Sequence, residues 1–156
     1  MKIEPTLTTV ERTLFLMEVE QFKPVGSEEV AAIAAKMVEM RFAAGELVYD
    51  HGDPEGHMYV IVDGELEHVR EGIVVRRATR GMSSGLFGLM GIADVEALRA
   101  AQDSHVLCLS REDFIEAVSD SPAFALGLMR GLANSYLALI RRIESLERKI
   151  AAHEGR

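Results

Sequence analysis

Gly45-Glu46, Gly52-Asp53 and the run Met58-Tyr59-Val60-Ile61-Val62, closed by Gly64, form the stretch that decides the fold of this 156-residue chain. Short apolar runs separated by glycine turns extend outward from it, at a spacing of roughly 8–12 residues that is typical of an antiparallel β-sandwich or roll. The predicted strands are residues 40–43, 47–49, 58–62, 66–69, 73–75 and 106–109. We predict a hairpin turn at Asp63-Gly64 and a weaker one at Glu71-Gly72.

Helical patterns lie on both sides of this β region. Apolar residues cluster on one side of a predicted helix over Thr9–Phe22, and Ser27 is placed to cap a second helix that ends at Lys36. After the last strand, Ser110 is placed to cap a helix over 111–118. Ser121-Pro122 then begins the longest helix, with proline at the first helical position. The order predicts a mainly β domain with N-terminal helices and a long C-terminal helix.

Composition excludes several classes of function. The net charge is −8 and the pI is near 5.1, whereas nucleic-acid-binding domains normally present a basic face, so we expect no nucleic-acid partner. The single cysteine, Cys108, lies in an apolar strand and is interpreted as core filler. The N-terminus lacks the pattern of a signal peptide, and the sequence shows no uninterrupted apolar run of about 20 residues. We therefore expect a cytoplasmic protein that does not contact a membrane.

A second stretch carries the chemistry. It reads Phe87-Gly88-Leu89-Met90-Gly91-Ile92, followed by Arg99-Ala100-Ala101. Together the two stretches resemble the cyclic nucleotide-binding domain family, and the resemblance extends from about Val10 to Ile150. It implies an antiparallel β-roll (jelly roll, double-stranded β-helix) over residues 1–120 with its N-terminal helices, and a C-terminal dimerisation helix over 121–156.

The resemblance also implies a phosphate-binding cassette. In the family a short helix opens after Phe-Gly-Glu, and an arginine about ten residues later faces the phosphodiester. A helix N-terminus and a guanidinium both suit a phosphate. The candidate ligand-binding residues are Phe87, Gly88, Leu89, Met90, Arg99, Ala100 and Ala101.

Leu89 departs from the family pattern. It stands where the resemblance places the glutamate that accepts a hydrogen bond from the ribose 2′-hydroxyl. Losing that bond costs about 1.5–3 kcal/mol, so we expect cyclic AMP or cyclic GMP to bind weakly or not at all. Asp94 or Glu96 could substitute as acceptor. Arg99 either contacts an anion or pairs with Asp94 or Glu96. The glycine that usually lies three residues before the phenylalanine is one place late, at Gly85.

Histidines give no metal-binding pattern. Cupins, a related β-roll superfamily, use a His-x-His pair, which this chain lacks, although His51 and His57 flank one loop. His68 falls in an apolar strand and is interpreted either as a hydrogen-bonded core residue or as a pocket contact. We find no catalytic triad or metal-ligand cluster and expect a protein that is not an enzyme, with a cupin-like metalloenzyme as the remote alternative.

The last helix carries an apolar seam with alternating steps of three and four residues, which predicts a homodimer. The seam comprises Met129, Leu132, Tyr136, Leu139, Ile143, Leu146 and Ile150. In transcription factors that resemble the catabolite activator protein, this helix pairs with its mate and a DNA-binding domain follows. This sequence ends at Arg156, so a further effector domain or a separate protein partner both remain open.

Two hypotheses follow from these patterns. In the favoured one, the domain is degenerate as a nucleotide sensor and acts by dimerisation or partner contact. In the other, a cyclic nucleotide or another small anion binds near Arg99 and repositions the C-terminal helix.

Overall fold

Two antiparallel sheets form the β-roll, as predicted. The computed structural model describes residues 1–3 and 5–155. The strand order of the first sheet is β1 (Lys2–Ile3), β2 (Val38–Phe42), β9 (Ser104–Ser110), β4 (His57–Asp63) and β7 (Ser83–Ser84). That of the second is β3 (Leu47–Tyr49), β8 (Ala97–Ala100), β5 (Glu65–Arg70) and β6 (Ile73–Thr79). The predicted strands are present, and β1, β7 and β8 are additional to the prediction.

The first sheet is buried on both faces. Along β4, Met58, Val60 and Val62 pack against the helices, while Tyr59 and Ile61 pack into the interior of the roll against the second sheet. This alternation follows from the two-residue repeat of a strand. Cys108 lies in the interior of the roll, as expected, and burial raises its pKa to about 12.

The prediction of a hairpin at Asp63-Gly64 is wrong. Strand β4 belongs to the first sheet and β5 to the second, so this dipeptide forms a corner between sheets. Gly64 has a φ of 93° and packs closely enough on the loop before β9 that a Cβ atom would lie 2.6 Å from the Asp103 carbonyl oxygen. The weaker prediction, a hairpin at Glu71-Gly72, is confirmed: the turn joins the paired strands β5 and β6, and both residues have positive φ.

Five helices flank the roll in the described chain: α1 (Thr9–Glu18), α2 (Ser27–Lys36), α3 (Leu86–Leu89), α4 (Arg111–Asp120) and α5 (Pro122–Glu154), with a 3₁₀ turn at Glu20–Phe22. The predicted caps of the last two are confirmed, since Ser110 Oγ accepts from the Asp113 amide and Ser121 Oγ from the Phe124 amide. Ser27 is the first residue of α2, and its predicted capping role is wrong because Gly26 occupies the N-cap position.

Glu39 fastens the N-terminal segment to the roll. Its carboxylate is fully buried and accepts hydrogen bonds from the amides of Thr6 and Leu7 at 2.9 and 3.0 Å. His105 Nε2 lies 2.7 Å from the same carboxylate. Burial alone would raise the pKa of Glu39, but the bonds from Thr6 and Leu7 and the charge of His105 outweigh it and hold the pKa at about 2.

Only the start of α5 is buried, against the Glu20–Phe22 turn and helices α2 and α4. Phe124, Gly127, Leu128 and Gly131 are its buried residues. The helix approaches the Glu20–Phe22 turn closely, and a Cβ atom on Gly131 would lie 2.2 Å from the Gln21 carbonyl oxygen. The apolar seam is open to solvent: Leu132 is half-buried, and the other six seam residues, from Met129 to Ile150, are exposed.

By length and composition α5 also meets the requirement for a membrane span. One 18-residue window has a mean hydropathy of 1.4, and 22% of that window is buried. Polar residues such as Arg130 and Asn134 interrupt this part of the helix, so it contains no continuous apolar run. A single helix of this kind is weak evidence for a membrane span, and the first turns of α5 pack against the 3₁₀ turn and helices α2 and α4.

Candidate functional site

Helix α3 begins at a glycine held against β4. Gly85 is its N-cap with a φ of 89°, and a Cβ atom there would lie 2.1 Å from the His57 carbonyl oxygen. Only glycine combines this conformation with so close an approach. The glycine that starts the cassette is therefore Gly85, which the sequence analysis regarded as displaced.

Phe87, Gly88 and Leu89 lie inside α3 rather than ahead of it, so the predicted register of the cassette is wrong. Leu89 is 2% exposed and packs in the core under the helices, and its amide donates to Gly85 O. The side chain of Leu89 therefore faces the core. Phe87 and Met90 are exposed, and Gly88 lines the cleft described below.

Arg99 points away from the interior of the roll. Its neighbours in β8, Leu98 and Ala100, are buried in the interior, so alternation places Arg99 on the outer face. Its Nη2 atom lies 2.7 Å from Glu67 Oε2. This bond, together with Arg77, lowers the pKa of Glu67. The predicted pairing of Arg99 with Asp94 or Glu96 is therefore wrong, since its partner is Glu67 on the outer face.

Ala100 and Ala101, the small residues predicted to follow the arginine in the cassette, have their backbone amides in use. The Ala100 amide donates to Glu46 O and the Ala101 amide to Glu65 O, each at 2.9 Å. These amides bind neighbouring backbone segments.

A buried carboxylate occupies the roll beside α3. Glu96, just before β8, is 4% exposed. Its Oε1 atom lies 2.6 Å from Arg70 Nη2, and its Oε2 atom lies 2.7 Å from Arg76 Nη2 and 3.1 Å from His68 Nδ1. Each carboxylate oxygen is therefore bound by its own guanidinium.

His68 connects the two ends of the cassette segment. Its Nε2 atom lies 3.0 Å from Ser84 Oγ, immediately before α3, and its Nδ1 atom lies beside Glu96, after α3. Burial, followed by the charge of Arg76, lowers the pKa of His68, which keeps the imidazole neutral at pH 7. His68 is buried and hydrogen-bonded, which confirms the core interpretation.

Among the described residues, His68, Asp94 and Glu96 have possible metal-ligand atoms within 4.8 Å of one another. The two oxygens of Glu96 already bind arginines, and Asp94 Oδ1 accepts from the amides of Val95 and Glu96. From the sequence, Asp94 and Glu96 were expected as substitute ribose acceptors or as partners of Arg99, not as neighbours of His68. The strongest sequence signal for the cluster is His68, a polar residue in an apolar strand.

An open cleft of about 500 Å³ lies beside the cluster, between the β3–β4 loop and the segment from α3 to Asp94. Its charged lining includes Asp50, Asp53, Asp94 and Arg111. Asp53 is structural, since it accepts from the amides of residues 55–57, and Arg111 donates to the Gly88 carbonyl oxygen. The cleft thus combines three carboxylates with one guanidinium that already has a partner.

The chain thus folds into a β-roll with the short helix α3 between β7 and β8. The sequence pattern of the cyclic nucleotide-binding domain matches residues 39–121, more than half of the chain, and the chain belongs to this family.

Three similar proteins illustrate the relationship. The cGMP-dependent protein kinase egl-4 of Caenorhabditis elegans is 31% identical over 84 residues, which is 51% of this chain and 11% of the kinase. The N-terminal domain of a transcriptional regulator from Streptomyces coelicolor A3(2) has a TM-score of 0.69 and 19% identity, covering 82% of this chain and 94% of that one. The regulatory subunit of a cAMP-independent protein kinase A from Trypanosoma brucei has a TM-score of 0.65 and 18% identity. The match covers 78% of this chain and 47% of that subunit. The chain spans about a tenth of the curated kinase that it matches.

Proposed function

We propose that this domain is a regulatory module that does not depend on a cyclic nucleotide and that acts through protein contact. The observation that carries the proposal is Glu96, whose buried carboxylate binds Arg70 and Arg76 inside the roll. The charged side chains that face the roll beside α3 therefore already satisfy one another.

The charge of the cassette segment supports this proposal. Residues 86–98 contain Asp94 and Glu96 but no lysine or arginine. Phosphate sites in proteins normally supply positive charge, by a guanidinium above all. A phosphodiester that approached α3 would instead meet the carboxylate of Asp94 in the cleft lining. Repulsion between like charges disfavours that complex.

The alternative is a working sensor for cyclic AMP or cyclic GMP. Its support is the family itself and the cGMP-dependent kinase among the relatives. Arg70 and Arg76 are about half exposed and are long enough to turn from Glu96 toward a ligand. In the family, the terminal helix would then respond to the ligand.

Calorimetric titration of the purified protein with cyclic AMP and cyclic GMP tests the proposal. We expect no saturable binding up to about 100 μM, which corresponds to a binding free energy weaker than roughly −5.5 kcal/mol. A dissociation constant below that limit overturns the proposal in favour of the sensor. Arg99→Ala serves as a control, since its side chain lies on the outer face and should not affect either result.

Dimerisation through α5 is the second part of the proposal. Six of the seven seam residues are exposed, with exposed fractions from 47% for Ile143 to 66% for Tyr136. Soluble proteins usually cover an apolar stripe of this length, and the steps of three and four residues suit a second copy of the same helix. We further propose that the homodimer acts in the cytoplasm on a protein partner and catalyses no reaction.

A further inference from the structure

We propose that Glu96 is a tethered anion: its carboxylate fills an anion-binding site formed by Arg70, Arg76 and His68, and a free carboxylate or phosphate can take its place once Glu96 is removed. The inference deepens the proposed function and rests on it. It explains why the roll would need no nucleotide, because the chain supplies the negative charge itself.

The geometry around Glu96 is that of a bound ligand. Two guanidiniums reach separate oxygens at 2.6 and 2.7 Å, which is the length of a charge-assisted hydrogen bond. An imidazole nitrogen lies 3.1 Å from the second oxygen. The Glu96 side chain is 6% exposed, while the two arginine side chains are 55% and 49% exposed. The anion is enclosed and its receptor groups lie at the rim.

Receptor and anion belong to different parts of the fold. Arg70 and His68 lie on β5 and Arg76 lies on β6, and the two strands are paired in the second sheet, with His68 opposite Arg76. Glu96 lies in the loop that leads from α3 to β8. The sheet therefore fixes the backbone from which the positive groups extend, and removal of the Glu96 side chain does not alter that backbone.

The charge balance favours an anion over a cation at this position. Two arginines surround one buried carboxylate, with Asp94 as the nearest other acid and His68 kept neutral by burial. Without Glu96, the two guanidiniums and the neutral imidazole leave an excess of positive charge. A small carboxylate or phosphate restores the balance, and a divalent metal ion does not.

Glu67 offers a matched control on the other face of the same sheet. It also binds two arginines, with Oε2 2.7 Å from Arg99 Nη2 and Oε1 2.8 Å from Arg77 Nη1. Arg77 has a second acid, Glu65, so removal of Glu67 leaves only Arg99 without its carboxylate. The Glu67 carboxylate thus pairs with guanidiniums on the outer face of the sheet.

The experiment compares Glu96→Ala with Glu67→Ala and with the wild type. Thermal unfolding is followed in chloride, in acetate and in inorganic phosphate at equal ionic strength, up to about 100 mM anion, and calorimetry measures binding directly. We expect acetate or phosphate to raise the Tm of Glu96→Ala and to bind it at least tenfold more tightly than either of the other proteins. Glu96→Ala/Arg76→Ala should lose the effect.

A folded Glu96→Ala variant that responds equally to chloride, acetate and phosphate overturns the inference. Glu96→Gln provides a second check, because its amide fills the same space without charge and should show no acetate effect; an effect equal to that of Glu96→Ala would place the anion elsewhere. If Glu96→Ala folds poorly in chloride, its recovery on refolding from urea in acetate supports the inference, and equal failure in both salts contradicts it. Nucleotide binding by the wild type would overturn the proposed function instead, and it is measured separately.

Discussion

Gly85, the N-cap of helix α3, packs closely against His57, the first residue of strand β4. This contact fixes the start of α3 to β4. A Cβ atom at position 85 would lie 2.1 Å from the His57 carbonyl oxygen, and the φ of Gly85 is 89°. His57 is itself held by Asp53, whose carboxylate accepts from the His57 amide and contacts its imidazole, each at 2.8 Å. The start of α3 is therefore defined by the β3–β4 loop.

Gly85→Ala should destabilise the domain by about 3 kcal/mol, since alanine adds both left-handed strain and a steric clash. Gly91→Ala separates the two effects. Gly91 has a similar φ of 74°, but nothing lies within 4 Å of the position of an added Cβ atom. Gly91→Ala should therefore lower the free energy of unfolding by only about 1 kcal/mol. Urea unfolding of both variants measures the difference. Equal losses would mean that the approach to His57 contributes nothing.

Leu89→Glu should destabilise the fold and create no nucleotide site. The new carboxylate would be buried in the core under the helices, which costs at least about 3 kcal/mol without a partner. Met90→Glu is the matched control, because its side chain is exposed and should change stability by less than about 0.5 kcal/mol. Increased affinity of Leu89→Glu for cyclic AMP, with stability retained, would show that position 89 faces a ligand after all.

Glu39→Gln should weaken the domain near neutral pH. The pKa of Glu39 is about 2 in the folded protein against an ordinary value of 4.5, so its contribution is fully present above about pH 4.5 and is lost as the pH falls toward 2. The shift corresponds to about 3 kcal/mol at pH 7. Unfolding free energies between pH 7 and pH 3 should fall more steeply for the wild type than for Glu39→Gln.

The control for this prediction is Glu20→Gln. Glu20 is exposed and its recorded ion pair is with Lys23, one helical turn away, so its loss should cost little at any pH. If the unfolding free energies of the wild type and of Glu39→Gln fall in parallel with pH, protonation of Glu39 does not cause the loss of stability.

Leu139→Asp/Ile143→Asp should give a folded monomer. Both positions lie on the exposed seam well beyond the buried start of α5, so the charges should oppose pairing while leaving the roll intact. Light scattering at about 100 μM should give the mass of a dimer for the wild type and the mass of a monomer for the variant. The β-sheet signal in far-ultraviolet circular dichroism should be the same for both proteins. A monomeric wild type at that concentration would refute the proposed dimer.

Gly131→Ala should destabilise the protein by about 1–2 kcal/mol, although alanine favours helix formation by about 1 kcal/mol elsewhere. The reason is contact with the 3₁₀ turn, where a Cβ atom would lie 2.2 Å from the Gln21 carbonyl oxygen. Asn134→Ala, on the exposed side of the same helix, should be neutral or slightly stabilising. A gain in stability for Gly131→Ala would show that the 3₁₀ turn can move away from α5 without lowering the free energy of unfolding.

Much of the fold could be predicted because it depends on local patterns. Alternation in 58–62 and the serine caps at 110 and 121 identify their elements directly. The hairpin prediction at Asp63-Gly64 failed because a glycine turn between strands does not reveal whether the chain reverses within one sheet or crosses to another. The contact that selects the corner, between Gly64 and the loop at Asp103, joins residues about 40 positions apart.

The site could be predicted less well, since its register depends on which glycine meets β4. Phe87-Gly88 matches the family dipeptide in sequence, but Gly85 makes the close contact with His57. That error of register assigned Leu89 to the ligand and Arg99 to the phosphate. The Glu96 cluster gathers side chains from β5, β6 and the loop before β8, and no spacing along the chain brings those three together.

The long helix is held near one end only, so a small tilt at that end would displace its far end by several ångströms. Two glycines seat α5 on the segment that precedes α2, and about 35 Å of helix extends past Gly131 at 1.5 Å per residue. A rigid rod of that length works as a lever arm, so a tilt of about 10° at the glycine seat sweeps its far end by roughly 6 Å. A small shift between Gln21 and Gly131 would therefore give a larger displacement at the C-terminal end of α5. The ratio of the two displacements depends on the length of the helix.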